Sequence, residues 1–217
     1  MMIRVEEALK IILKNIRTLD PEEVRLIEAQ NRVLAGDIYS RSDIPAFDNS
    51  AMDGFAVRAE DTQGASERNP KILELVGDLK AGDLPKTKIT MGEAMRIMTG
   101  AIIPEGADSV IMVEETEEIQ NSKHKIKIKI FKEVKSGENV RKKGEDIRKG
   151  ELVIKKGTAL NSAHIGLLAS LGISKVKVTR KPKVAILATG DEIVDVGKRL
   201  KPGQIRSSNT YTLYSQI

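Results

Sequence analysis

The chain has 217 residues, 40% of them apolar, with 36 Lys and Arg against 31 Asp and Glu and a formal net charge of +5; that is enough for one large folded domain or two small ones. It has no Cys, which excludes disulfides, thiolate metal sites and a Cys nucleophile and fits a cytoplasmic protein. The positive excess suits a small anionic ligand, whereas nucleic acid is discounted: Lys alternates with acids, and aromatics for base stacking make up only 3%.

Val5, Ala8, Leu9, Ile12, Leu13 and Ile16 recur at helical spacing and predict an amphipathic first helix, its stripe facing core or a dimer interface. Asp20-Pro21 ends it. Val24 and Leu26 suggest a short strand, residues 28–34 a short helix stopped near Gly36, and residues 38–44 an extended run.

Residues 45–57 follow, reading Pro-Ala-Phe-Asp-Asn-Ser-Ala-Met-Asp-Gly-Phe-Ala-Val. Asp48, Asn49, Ser50, Asp53 and Gly54 crowd together there. Asp, Asn and Ser bond their own backbone and Gly allows positive φ, so a tight polar loop is expected. Two carboxylates, an amide and a hydroxyl on such a loop make a binding surface; the plainer alternative is a hairpin turned at Asp53-Gly54.

Short strands then follow: 55–57, 72–76 ended by Gly77, 94–98, 109–113, and 125–130 with Lys and Ile alternating. The basic run at 123–132 reads as that half-exposed strand. Turn signals at Gly82-Asp83, Pro104-Glu105-Gly106, Asn121-Ser122 and Ser136-Gly137 separate the pieces, which indicates a compact, barrel-like β domain. A second polar loop spans 142–147, a strand 152–154, and a helix capped by Asn161 or Ser162 stops at Gly172. After Arg180-Lys181-Pro182, the apolar run 184–188 suits a parallel strand buried on both faces. Thr189-Gly190-Asp191-Glu192 would lie at its C-terminal end, where open α/β sheets bind ligands. Asn209 would cap a last helix over 210–217.

The expected organisation is α/β and multidomain. Residues 1–45 and 140–180 form a discontinuous α/β domain, 46–139 an inserted β domain, and 181–217 the truncated start of a doubly wound domain. No apolar run approaches a membrane span or precedes a cleavage-like site. His124 and His164 stand in unrelated settings, which argues against a His metal centre or a Ser-His-Asp triad; His124 reads as a loop residue and His164 as a helix-face residue.

The segments 43–57, Arg96-Ile97-Met98-Thr99-Gly100-Ala101, Lys143-Gly144-Glu145-Asp146-Ile147 and Ala188-Thr189-Gly190-Asp191-Glu192-Ile193 resemble, in that order, the molybdopterin molybdenumtransferase family of MoeA and gephyrin E-domain type. Residues 104–108 and 203–209 add to the likeness. The resemblance implies insertion of molybdenum from molybdate into adenylated molybdopterin, with release of AMP and dependence on Mg2+. It implies a cytoplasmic homodimer with a site shared between subunits, and an upstream adenylyltransferase as partner. It also implies a four-domain parent, of which this chain holds about the N-terminal half, so that the fragment alone is expected to be inactive. Asp53, Thr99, Asp146 and Glu192 then read as catalytic, with Asp53 and Glu192 toward the metal. Asn49, Ser50, Gly100, Thr189, Gly190, Asp191, Arg206, Ser208 and Asn209 read as substrate-binding, with N–H groups at the Thr99-Gly100 turn and hydroxyl or amide groups of Ser50, Thr99 and Asn49 as oxyanion donors. Taken one by one, each turn has a plain structural alternative: a strand end at Thr99-Gly100, helix N-terminal acids at Asp191-Glu192, a solvated turn at Glu145-Asp146. A non-catalytic scaffold on the same fold, and a simple anion-binding protein, are the competing readings.

Overall fold

The computed structural model of the chain describes residues 3–120 and 126–217. The turn expected at Asn121-Ser122, the loop position of His124 and the start of the alternating strand at Lys125 lie outside the described residues. In chain order the elements are α1 (Val5–Asn15), β1 (Pro21–Arg25), β2 (Ile38–Tyr39), β3 (Asn49–Ser50), β4 (Gly54–Val57), β5 (Lys71–Leu79) and β6 (Glu93–Ile97). There follow β7 (Ser109–Met112), β8 (Thr116–Gln120), β9 (Ile126–Ile130), β10 (Val140–Arg141), β11 (Leu152–Ile154) and α2 (Ser162–Ser170). The last are β12 (Lys175–Thr179), β13 (Ile193–Val194), β14 (Ile205–Arg206) and α3 (Ser208–Gln216). The chain divides into a sheet unit, Asp37–Lys156 with Leu167–Gly172, and a terminal unit, Met1–Gly36 with Gly157–Gly166 and Ile173–Ile217.

The sheet unit is built on six strands in the order β7-β4-β6-β5-β9-β8. Only β5 and β6 run parallel. Consecutive strand residues point to opposite faces, and the apolar run of β4 uses this. Phe55 and Val57 join Leu73, Ala94, Ile111, Ile128 and Ile130 on one face. Ala56 joins Met95, Ile97 and Val110 on the other. The alternation read from the sequence holds in β9: Ile128 and Ile130 are buried, while Lys129 pairs with Glu117 of β8 at 3.0 Å. One expectation fails here. Strand β5 does not stop at Gly77 but runs on to Leu79, absorbing a register shift against β6 between Leu75 and Asp78; a glycine within a strand marks such irregularity rather than an end. Outside the main sheet, β3 pairs with β10 and β2 with β11, both antiparallel.

In the terminal unit, β1 pairs antiparallel with β12, Val24 opposite Val176. The helix expected over 28–34 is absent. A 3-10 turn, Leu26–Glu28, is all that forms. Asn31 takes a left-handed φ of 61°, which breaks a helix, and Val33 and Leu34 form β-bridges with Ala159 and Val178. Helix α1 forms as the spacing predicts, yet none of its residues is buried within this chain.

Helix α2 begins at a reciprocal cap. Asn161 Oδ1 accepts the His164 N–H at 3.0 Å, and His164 Nδ1 accepts the Asn161 N–H at 3.2 Å. His164 is thus the returning half of a capping box, with a ring nitrogen in place of the usual Glu or Gln. The helix buries Leu168 and is followed by Gly172 at φ 72°.

The buried parallel strand expected at 184–188 is not there. Those residues form no strand, and Leu187 is 86% exposed. A parallel strand is stable only when neighbours pair its edges and cover its faces, and among the described residues nothing pairs with this run. The parallel pair that does form is β13 with β14. Helix α3 follows, its N-cap Ser207 rather than Asn209, which lies inside the first turn.

Candidate functional site

The 48–54 loop is not a hairpin. Strand β3 pairs with β10, and β4 with β6 and β7, so Asp53-Gly54 links strands with different partners. The loop is stitched to three other segments. Ser50 N–H donates to Ala101 O at 2.9 Å, and Ser50 O accepts the Gly100 N–H at 2.8 Å. Ala51 N–H donates to Asn139 O at 2.9 Å, and Asp53 O accepts the Val113 N–H at 3.2 Å. Gly54 is needed for the last approach: a Cβ there would lie 1.9 Å from Ile111 O.

This brings Asp53 and Thr99 together. Asp53 Oδ1 accepts both the backbone N–H and the hydroxyl of Thr99, each at 2.7 Å. The N–H bond foremost, and then the hydroxyl, hold the Asp53 carboxyl below the usual carboxylate range. Its other oxygen, Oδ2, accepts no hydrogen bond among the described residues. The result is an ionised, exposed carboxylate with one oxygen fixed and one open.

The expected oxyanion donors on this loop are engaged internally. Thr99 spends its N–H and hydroxyl on Asp53, and Gly100 N–H is bonded to Ser50 O. The Ser50 hydroxyl donates to Met52 O at 2.5 Å, and Asn49 Nδ2 to Phe47 O at 3.1 Å. The reason is burial: Asn49 and Ser50 are 6% and 0% exposed, and buried polar groups must be bonded.

Asp146 stands in a separate network. Arg141 donates to Glu145 through Nε at 3.0 Å and to Asp146 Oδ2 through Nη2 at 2.9 Å. Arg141 sits opposite Asn49 in the β3–β10 pair. Asp48, expected as one of the two carboxylates of the binding loop, instead holds the 142–147 loop from the other side. It accepts the Lys143 N–H at 2.8 Å and Lys142 Nζ at 3.0 Å, and these bonds, that of Lys143 first, lower its pKa. Asp43 accepts the Lys149 N–H at 2.8 Å and is lowered chiefly by that bond. The visible signal was charge order, since Lys142-Lys143 precedes Glu145-Asp146; the partners at 43 and 48 lie about a hundred residues away and could not be read.

The remaining candidates belong to the terminal unit. Gly190 has φ 137°, and the Glu192 carboxylate folds over it, with Oε2 2.6 Å from where a Cβ would stand. Thr189, Arg206, Ser208 and Asn209 line one cavity of about 300 Å³ together with Ile193 and Leu213; Gly190, Asp191 and Glu192 are not among its walls. Arg206 Nη1 donates to the Val196 and Lys198 carbonyls, the latter at 2.9 Å, which leaves Nη2 and Nε without a protein acceptor among the described residues. Among the described residues, no three His, Asp or Glu side chains gather to cage a metal.

Fold and turns together define an α/β chain whose polar loops are carried on a six-stranded sheet and on a small α/β unit. Residues 3–172 match the family described as MoeA N-terminal region (domain I and II), and the chain belongs to that family. It is 43% identical over 207 residues to the molybdopterin molybdenumtransferase of Staphylococcus epidermidis (strain ATCC 35984), covering 95% of this chain and 48% of that protein. It is 41% identical over 215 residues to the molybdopterin molybdenumtransferase of Bacillus subtilis (strain 168), covering 99% and 50%. The crystal structure of the molybdopterin biosynthesis MoeA protein from Pyrococcus horikoshii OT3 superposes with a TM-score of 0.87 at 40% identity, covering 100% of this chain and 56% of that one. The chain thus spans about half the length of the relatives it matches.

Proposed function

We propose that this chain supplies the N-terminal half of a molybdopterin molybdenumtransferase, which inserts molybdenum from molybdate into adenylated molybdopterin and releases AMP. The observation that carries the reading is the Asp53–Thr99 clasp, which sits on the loop most specific to the family. Thr99 fixes one carboxylate oxygen and keeps the group ionised, so Oδ2 is presented as a hard oxygen donor. That chemistry fits Mg2+, which takes one or two carboxylates and completes its shell with water and substrate phosphate oxygens. Asp53 would be one such ligand and Glu192 the other. Bound there, Mg2+ would offset the charge that develops on the phosphate as AMP departs. Arg206 offers its two unengaged nitrogens to a phosphate, with Thr189, Ser208 and Asn209 in the same cavity and Gly190 and Asp191 on the turn that follows Thr189. Asp146, held by Arg141, orients a water, and Asn49, Ser50 and Gly100 shape the loop from behind.

The domain reading belongs to the same proposal: an α/β domain interrupted by a curled, barrel-like β insertion, then the start of a doubly wound domain. So do a cytoplasmic homodimer with a shared site and an upstream adenylyltransferase that hands over the adenylated substrate. The test is complementation in the full-length protein. Asp53→Asn and Glu192→Gln are each expected to abolish AMP release, and mixing the two after subunit exchange to restore part of it. Normal turnover in both single variants would defeat the assignment; no recovery despite proven exchange would defeat the shared site.

A further inference from the structure

We infer that the terminal unit carries a second anion site, for a small multivalent phosphate, built from Arg32, Arg180, Lys181 and Lys183. With Leu19 and Glu22 these residues line one cavity of about 580 Å³. None of them belongs to the polar turns described above, and the inference does not rest on the transferase reading.

Arg32 is the anchor. Its side chain is only 10% exposed. Nη2 is bonded to Glu22 Oε1 on β1 and donates to Thr179 O on β12 at 2.9 Å. These two bonds fix the plane of the guanidinium against the paired strands. Nη1 and Nε have no protein acceptor among the described residues, and no unpartnered side-chain nitrogen there is sealed from solvent. Nη1 and Nε of Arg32 therefore reach solvent, and Arg32 lines the cavity. With Nη2 held by both bonds, Nη1 and Nε are left as two separate charge-assisted donors on a fixed guanidinium, each able to take one oxygen of an oxyanion.

The other three cations stand at the end of β12 and just beyond. Arg180 is set there by its N–H, which donates to Asp20 O at 3.2 Å. Arg180, Lys181 and Lys183 form no ion pair among the described residues. Four cationic side chains thus face one carboxylate, and that carboxylate is already taken by Arg32. Like charges around one cavity repel unless an anion sits among them. The count of cations favours an anion with more than one negative charge. The volume exceeds what orthophosphate needs, and Leu19 gives an apolar wall for an organic substituent.

The experiment is calorimetric titration of the 217-residue chain with inorganic diphosphate, orthophosphate and AMP, at about 150 mM salt, where long-range surface attraction is screened. Diphosphate is expected to bind once per chain and more tightly than orthophosphate. The exposed pair Arg180→Ala/Lys183→Ala is expected to weaken it roughly tenfold, two charge-assisted contacts being lost, with an unchanged circular dichroism spectrum. Arg32→Lys keeps the charge and removes the fixed Nη1 and Nε donors, and is expected to weaken binding as well; since Arg32 also holds Glu22 and Thr179, the double variant decides if this one misfolds. The AMP arm separates the sources: binding equal to that of diphosphate assigns the site to a phosphate ester, and weaker binding to a free polyphosphate. An adventitious ion only, seen as binding confined to low salt, would overturn the inference. So would diphosphate affinity unmoved by the double variant, or a preference for duplex DNA over diphosphate.

Discussion

Gly54→Ala tests the claim that the close approach of β4 to β7 sets the Asp53 turn. The added Cβ would stand 1.9 Å from Ile111 O and 2.9 Å from Ile111 C. Carbon contacts are comfortable near about 3.5 Å, so the strands would have to part by about 1.5 Å. β4 lies between β6 and β7 with both of its faces packed, and the obstructing atoms are backbone, so no rotamer can relieve the clash. Overpacking costs about 1–3 kcal/mol when side chains can yield, so a loss of about 3 kcal/mol is expected here. With a urea slope of about 2 kcal/mol per molar, the midpoint of the sheet unit should fall by about 1.5 M. Hydrogen exchange at the Ala56 and Val110 amides follows that unit specifically. A second readout reaches the site: Asp53 O accepts the Val113 N–H, so parting the strands moves Asp53 off Thr99, and the Thr99 amide should exchange faster. Gly36→Ala is the control, because nothing lies within 4 Å of a Cβ at that position. A Gly54→Ala midpoint within about 0.3 M of the parent, with Thr99 protection unchanged, would refute the reasoning.

Thr99→Val removes the hydroxyl donor, so the Asp53 carboxyl should titrate closer to its ordinary 3.8, measured by the NMR shift of its carboxyl carbon; an unmoved titration would mean the hydroxyl does not act on it. Burial alone would push the Asp108 carboxyl up, but bonds from the Ala59 N–H, Ser136 and Ser109 outweigh it and leave the group below 3.8. A depressed carboxylate contributes stability that is complete above its unfolded pKa and lost as pH falls through the folded one, so urea midpoints should hold level from about pH 8 to 5 and drop below about 4, less steeply in Asp108→Asn. Gly190→Ala forces a side chain into φ 137° and against the Glu192 carboxylate; a local strain of about 1–3 kcal/mol is expected, with loss of AMP release in the full-length protein and no change in the urea midpoint of the sheet unit. Gly166→Ala, in α2 with open space around it, should stabilise by about 0.4–1 kcal/mol, read as a higher midpoint.

The sheet unit was legible where period and burial agree. Phe55-Ala56-Val57 and the Lys-Ile alternation of β9 announce their strands because one face or both must be apolar. The failures share a cause, which is that a strand or helix is completed by residues the local pattern does not contain. Val184 to Ala188 has the composition of a buried parallel strand but, among the described residues, no neighbour to pair with, so all of it but Ile186 stays exposed. Residues 28–34 have helical spacing, but bridges from Val33 and Leu34 to Ala159 and Val178 decide the outcome, and those partners lie more than a hundred residues away. Gly77 reads as a stop and is a register shift, because only the facing strand β6 determines whether β5 can continue.

The candidate site shows the same division more sharply. Residue types told which groups are chemically able to act, and the structure pairs two of them, Asp53 with Thr99. What residue types could not tell is which of those groups are already committed. Ser50, Asn49 and the Gly100 N–H look like free donors in the sequence and are spent on holding the loop, because a polar loop that is half buried must satisfy itself before it can bind anything else. The converse holds at Arg32: unremarked in the sequence beside the acidic turns, it keeps Nη1 and Nε unspent after its structural bonds are made. A group's capacity to bind is therefore what remains after the fold has taken its share. By that measure Asp53 Oδ2 and the free nitrogens of Arg206 and Arg32 are the places where a ligand can find a partner that the described residues have not used.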